Sequence, residues 1–256
     1  MMNQSKNNKK NSKGHLPLWI TLSALLLAAI LFFTLALPAI RRSNAERAAF
    51  EAPQMPYEVP GFTMLENVSG STFDNGLQVL CVGGYTGTYL EDGSDEQIED
   101  VLCIVVYNNS DHLVEYGSIE IPCGKQSPAV FEFSGLPAKS SVLVQEKNRM
   151  LRSDKQKYSK PICKEIALPV DIVTDFGNDF RLFPNDGVIN AENISDRDYT
   201  NDVSVFYKNF NFGLFMGGIT YRARFSGGIR AGAMAQCLQK HYLLETSAIL
   251  YMSYGD

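Results

Sequence analysis

Ile219-Thr220-Tyr221-Arg222-Ala223-Arg224-Phe225 alternates strictly, with Ile219, Tyr221, Ala223 and Phe225 on one side and Thr220, Arg222 and Arg224 on the other. Successive side chains of a strand point to opposite faces, so this is a half-buried antiparallel strand with a wet face. The same chemistry recurs on both sides of it. Leu77–Val82, Val101–Tyr107, Val114–Ile121, Ala129–Phe133 and Ser141–Gln145 form one set of runs rich in Val, Ile, Tyr and Phe. Val188–Ala191, Val203–Tyr207 and Ser247–Tyr251 complete a second set with Ile219–Phe225. Gly, Asn, Asp and Pro clusters separate the runs, as expected of an all-β fold of sandwiches. Residues 228–246 are the ambiguous part. Ala231–Leu244 has a helix-like composition, but its place in the order asks for a loop followed by a strand.

The two sets share short motifs. Asn108-Asn109-Ser110-Asp111 matches Asn193-Ile194-Ser195-Asp196, each after a β run. Phe133-Ser134-Gly135-Leu136-Pro137-Ala138-Lys139 matches Phe225-Ser226-Gly227-Gly228-Ile229-Arg230-Ala231-Gly232. The physical content is a strand end with an Asx or Ser turn, then a turn before a later strand. On these residues the chain resembles the fibronectin-III-like and adhesion-related sandwich repeats of bacterial surface proteins, over roughly residues 75–256. Lys139 departs from that pattern, which often has Gly there. The resemblance implies two immunoglobulin/fibronectin-III-like β-sandwich repeats, at 75–168 and 169–256, and a cell-surface location. It carries over no catalytic residue.

The N-terminal part is of another kind. Residues 1–42 hold six bases and no acid, whereas residues 43–256 hold 17 bases and 28 acids, a balance of −11. A basic body that would grip nucleic acid is thereby excluded. Residues 1–15 read as a disordered basic tail. Leu16–Ile40 is 25 residues without a charge. As a helix it would span about 37 Å, more than a hydrocarbon core of about 30 Å. Trp19 stands where an interfacial aromatic belongs, and Pro17 and Pro38 fall near the ends. A cleaved signal peptide is the alternative, but its apolar core is shorter and Arg41 and Arg42 precede the Ser43-Asn44-Ala45 site. The expectation is a single transmembrane helix at 16–40, with the N-terminus cytoplasmic and the C-terminal part extracytoplasmic. A pilin-like leader at Gly14 would place Glu where Trp19 stands. Residues 41–74, with Pro53, Pro56 and Pro60, read as a stalk.

A search for chemistry leaves little. Cys81 and Cys103 lie inside apolar runs and read as buried small hydrophobes; Cys123 and Cys163 are a candidate disulfide. No pair forms Cys-x-x-Cys. A sortase-like site fails, because Cys103 has no Arg close after it and Cys237 has His241 only four residues on. His15, His112 and His241 are scattered, and no phosphate-loop, hydrolase-elbow or zinc-protease motif occurs.

Two charge runs stand out. Glu91–Asp100 holds six acids, of which Asp92, Asp95 and Glu96 are candidate calcium ligands, since a hard cation wants several oxygens from a flexible loop. Residues 147–164 hold seven bases: Lys147, Arg149, Arg152, Lys155, Lys157, Lys160 and Lys164. They would meet an anionic wall polymer, lipid headgroups or an acidic protein, or pair with the acidic loop of their own domain. Among the aromatics of 206–218, Phe210, Phe212 and Phe215 read as core or as an exposed platform.

The expectation for function is a membrane-anchored extracytoplasmic binding or scaffold module of the cell envelope, without catalysis and without cofactor. The alternatives are a pilin-like or transporter-associated subunit of an envelope assembly, and an envelope enzyme with an unfamiliar site. Expected partners are the membrane and an envelope protein or anionic wall polymer, not nucleic acid.

Overall fold

A computed structural model describes residues 53, 55–66, 68, 70–169 and 172–255. The tail, the apolar run 16–40 and the start of the expected stalk lie outside them. No helix among the described residues is long and apolar enough to cross a membrane.

The first half contains β3 (Leu77–Thr88), β4 (Gln97–Asn108), β5 (Val114–Ile121), β6 (Ala129–Leu136), β7 (Ser141–Gln145) and β8 (Ile162–Ala167). β1 (Phe62–Met64) and β2 (Ser71–Thr72) both pair with β3. The second half contains β9 (Phe180–Asn185), β10 (Val188–Asn193), β11 (Val203–Asn211), β12 (Leu214–Phe225), β13 (Met234–Leu238) and β14 (Ser247–Ser253). All nine expected runs are strands, and 228–246 is indeed loop plus strand. Four short strands gave no signal: β1, β2, β8 and β9. The stalk expectation is corrected from Pro56 onward. Val59 and Leu65 are buried and β1 belongs to the sheet, so this stretch is part of the body.

Both halves pair their strands alike. β4 lies between β3 and β7 as β10 lies between β9 and β13; β5 lies between β6 and β8 as β11 lies between β12 and β14. In each half the two sheets pack face to face. Leu102, Ile104, Val142 and Val144 meet Ile119, Phe131 and Phe133 in the first core. Phe180, Ile189 and Ala191 meet Val203, Val205, Tyr207 and Phe225 in the second. Burying such side chains is the main stabilising contribution, about 1.5–3 kcal/mol each.

The halves are not separate bodies. β7 pairs in parallel with the start of β12, Phe215 beside Val142 and Met216 beside Leu143. One sheet therefore runs β1-β3-β4-β7-β12-β11-β14 through both. The outer face of β3-β4-β7 is covered as well, with Cys81, Cys103, Val105 and Leu143 packed under Val59, Leu214 and Met216.

Candidate functional site at the junction of the halves

The junction is built around an irregularity in β12. Tyr221 pairs with Tyr207 and Met216 with Asn209, so residues 217–220 bulge out of the β11 ladder. A bulge leaves backbone groups without ladder partners, and buried ones must find others. Gly218 sits at the closest approach, where a Cβ would collide with the Glu132 carbonyl.

Four side chains hold the bulge in place. Glu91 accepts from Gln145 N and Gly218 N, each at 2.7 Å, bridging β7 and β12 where their pairing ends. Lys208 is wholly buried and donates to Ser134 O (3.2 Å), Gly218 O (2.9 Å) and Ile219 O (2.7 Å). Three donated bonds require the ammonium form. Ser134 Oγ donates to Thr220 Oγ1 at 3.0 Å, and Thr220 Oγ1 donates to Ser134 O at 2.9 Å. Burial pushes the Glu91 carboxyl up; the Gln145 and Gly218 amides and the Lys208 charge pull it back. Burial likewise pulls Lys208 down, and the Glu91 charge opposes this. Each charge thus depends on the other to remain ionised in a place with little water.

The rest of the acidic loop is equally engaged. Gly93 and Asp95 take left-handed backbone angles, and Ser94 N donates to Asp92 Oδ1 at 2.8 Å. Asp92 and Glu96 both hold the Arg149 guanidinium, Asp92 at 2.9 Å, while that guanidinium lies 4.4 Å from the Tyr89 ring centre. Arg149 draws the Asp92 carboxyl below the usual range, together with the larger effect of Ser94. Asp95 turns the other way, to His241 (3.6 Å) and Lys240 (3.9 Å) of the second half. The calcium expectation is corrected accordingly. Asp92, Asp95 and Glu96 do not converge, an arginine fills the place of a cation, and the described residues contain no metal-ligating cluster.

The basic run divides into two groups. Arg152 bonds Asp100 and Asp154, each at 2.8 Å; Lys147 meets Glu132 at 2.7 Å and Lys164 meets Glu120 at 3.4 Å. With Arg149, these four serve the fold. Lys155, Lys157 and Lys160 are exposed and carry no ion pair with a described residue. Their loop packs on the 122–125 turn, where Ser159 N donates to Pro122 O at 2.9 Å, and this brings exposed Lys125 beside them.

The five cysteines are free. The candidate disulfide is not formed: Cys123 is buried beside Met150 Sδ at 3.9 Å, and the Cys163 sulfur accepts from Asn75 Nδ2 at 3.3 Å. Burial pushes the Cys81 thiol up to about 12 and raises Cys103 well above the ordinary thiol value, the opposite of a reactive thiolate. Phe215 is buried and stacks edge-on with Phe210 at 5.1 Å, whereas Phe212 is exposed at the hairpin tip.

Beside Glu91 a cavity of about 390 Å³ opens, with Tyr116, Phe133 and Ile219 as apolar wall and Glu132, Lys147 and Arg149 as rim. Every rim charge is already paired with its opposite, so the junction is arranged for cohesion. Lys208 is the residue that sequence reading missed. The only available signal was its position directly after the Val203–Tyr207 run, on the face opposite Val205 and Tyr207.

No protein-family model, no curated protein and no solved structure matches this chain.

Proposed function

We propose that this chain is a non-catalytic binding or scaffold module of the cell envelope. It is held by a transmembrane helix at 16–40 and presents two immunoglobulin/fibronectin-III-like repeats outside the membrane. The observation that supports this best is the continuous sheet through both halves, reinforced by the Glu91 and Lys208 bridges. Such a joint fixes the distance and angle between two sandwiches, which serves a spacer or presenter. The basic tail, the 25-residue apolar run and the acidic body support the topology. The surface offered to an anionic envelope polymer is the group Lys125, Lys155, Lys157 and Lys160, because the other bases of that run are used internally.

Two measurements test the reading. A C-terminal tag on the full chain should be protease-accessible in intact cells, and the chain should stay with membranes in alkaline carbonate. Binding to isolated anionic wall polymer should fall with salt, and the triple change of Lys155, Lys157 and Lys160 to Gln should weaken it about tenfold or more. A protected tag refutes the topology, and an unchanged affinity refutes the surface.

A further inference from the structure

We propose that the outer edge of β13 is a docking edge for a second copy of this chain. The inference does not depend on the anchoring or the anionic partner.

β13 ends the sheet β13-β10-β9. Hydrogen bonds flanking the strand set its phase: Asn193 N donates to Ala233 O at 2.9 Å and Gln239 N to Gly187 O at 2.8 Å. In an antiparallel ladder alternate residues face the partner strand. Ala235 and Cys237 therefore exchange bonds with β10, opposite Ala191 and Ile189. Met234, Gln236 and Leu238 turn their N–H and C=O groups to the outside. Their side chains are open too, Met234 at 58% and Leu238 at 78% exposure.

Exposed edges invite pairing, and proteins usually block them with charge, proline or a cover. Four of the other edges follow that practice, the short β1 and β2 aside. β8 carries Lys164 and Glu165, and β9 carries Arg181 and Pro184. β14 is bridged by Val173 at Met252. β6 lies against β12 through Ser134 and Thr220. β13 reads Met-Ala-Gln-Cys-Leu, with neither charge nor proline. Its counterpart in the first half is β7, whose outer edge is taken by β12. The fold already uses this strand position as a joint.

The edge is also complementary to itself. A two-fold axis through Gln236 would set Met234 opposite Leu238 of the second copy, apolar against apolar. All three outward residues then fall at hydrogen-bonded positions, and a six-stranded sheet results. Phe183 lies on the same open face, on β9 beyond Asn190.

The test uses the full chain in detergent, by sedimentation velocity over a concentration series. Reversible dimers are expected. Gln236→Pro should weaken association at least about tenfold, equivalent to about 1.4 kcal/mol. Its N–H faces outward, so proline costs no backbone bond within the chain and only the Gln236–Asn190 side-chain bond. Gln236→Lys, which sets like charges on the axis, should do the same, with unchanged circular dichroism confirming the fold of both variants. In a Cys163→Ser, Cys237→Ser background, Gln236→Cys should form a disulfide dimer. Paired residues of that kind lie about 5.5 Å apart at Cα, within disulfide reach. A monomer at every concentration overturns the proposal. So does association that both Gln236 variants leave intact, including any mediated by residues 16–40.

Discussion

The two halves of the body share one wiring pattern and differ in what their surfaces meet. The correspondence reaches individual atoms. Asn108 Nδ2 donates to His112 O (2.8 Å) and Leu136 O (3.1 Å), and its Oδ1 accepts from Ser110 N and Ser110 Oγ. Asn193 Nδ2 donates to Arg197 O (2.8 Å) and Ile229 O (2.9 Å), and its Oδ1 accepts from Ser195 N and Ser195 Oγ. Both asparagines are fully buried at a strand end. In each half one amide ties the first crossover to the turn before the fifth strand. The difference lies outside this shared frame. The outer face and edge of β3-β4-β7 are covered by the chain itself, while those of β9-β10-β13 are open. Strand wiring is common to both halves, and the neighbours of each half set which of its faces are covered.

The largest effect should come from breaking the joint between the halves. Lys208→Met removes three donors from buried carbonyls and leaves Glu91 without its opposite charge. A loss of about 3 kcal/mol or more is expected, because buried carbonyls are left without their donor. Thermal unfolding should then separate into two transitions, one for each half. Adding Glu91→Gln should recover part of the loss, since the pair is then removed together. Two independent, additive losses would mean the charges do not depend on each other.

Next come the matched asparagines. Asn108→Ala and Asn193→Ala should each cost about 2–3 kcal/mol, because buried carbonyls lose their donor. Asn108 should be the costlier, since it also donates to Pro137 O at 3.0 Å. Denaturant unfolding of both variants checks this, and a large effect in only one half would break the equivalence.

A smaller effect is expected at a matched turn position where the halves differ in residue type. Lys139 and Gly232 both take left-handed angles, φ +54° and +68°. Lysine is strained there and glycine is not. Lys139 is held by its own bond to Asn109 O (2.6 Å) and its ion pair with Asp111 (3.1 Å). Lys139→Gly should shift stability by less than about 1 kcal/mol, while Gly232→Ala should destabilise by about 1 kcal/mol.

The smallest effect compares the covered face with the half-open positions. Cys163 and Cys237 should react with maleimide in the native protein, whereas Cys81 and Cys103 should wait for unfolding. Early labelling of Cys103 would show that the outer face of β4 opens.

Much of the frame was legible in the residues. Long runs of β-branched side chains found β3 to β7 and β10 to β12, and the paired Asn-x-Ser-Asp motifs marked the same turn twice. β8 and β9 were not legible, because Ile162–Ala167 and Phe180–Asn185 are edge strands of mixed polarity. The charge runs were visible as runs, but which charge met which was not. Arg149 and Asp92 are 57 positions apart, and only the β3–β4 and β7–β8 loops, brought side by side, make them partners.

By itself the sequence determined the all-β class and the duplicated turn chemistry, because strand periodicity and Asx turns are local properties. It also set the contrast between a basic, apolar N-terminus and an acidic body. Tertiary structure decided that the two halves share a sheet and that Arg149 stands where a cation was expected. It also decided that Lys208 is buried between the halves while the edge of β13 remains open. Each of these depends on which distant backbone groups are left without partners, and that is settled only when the strands pack.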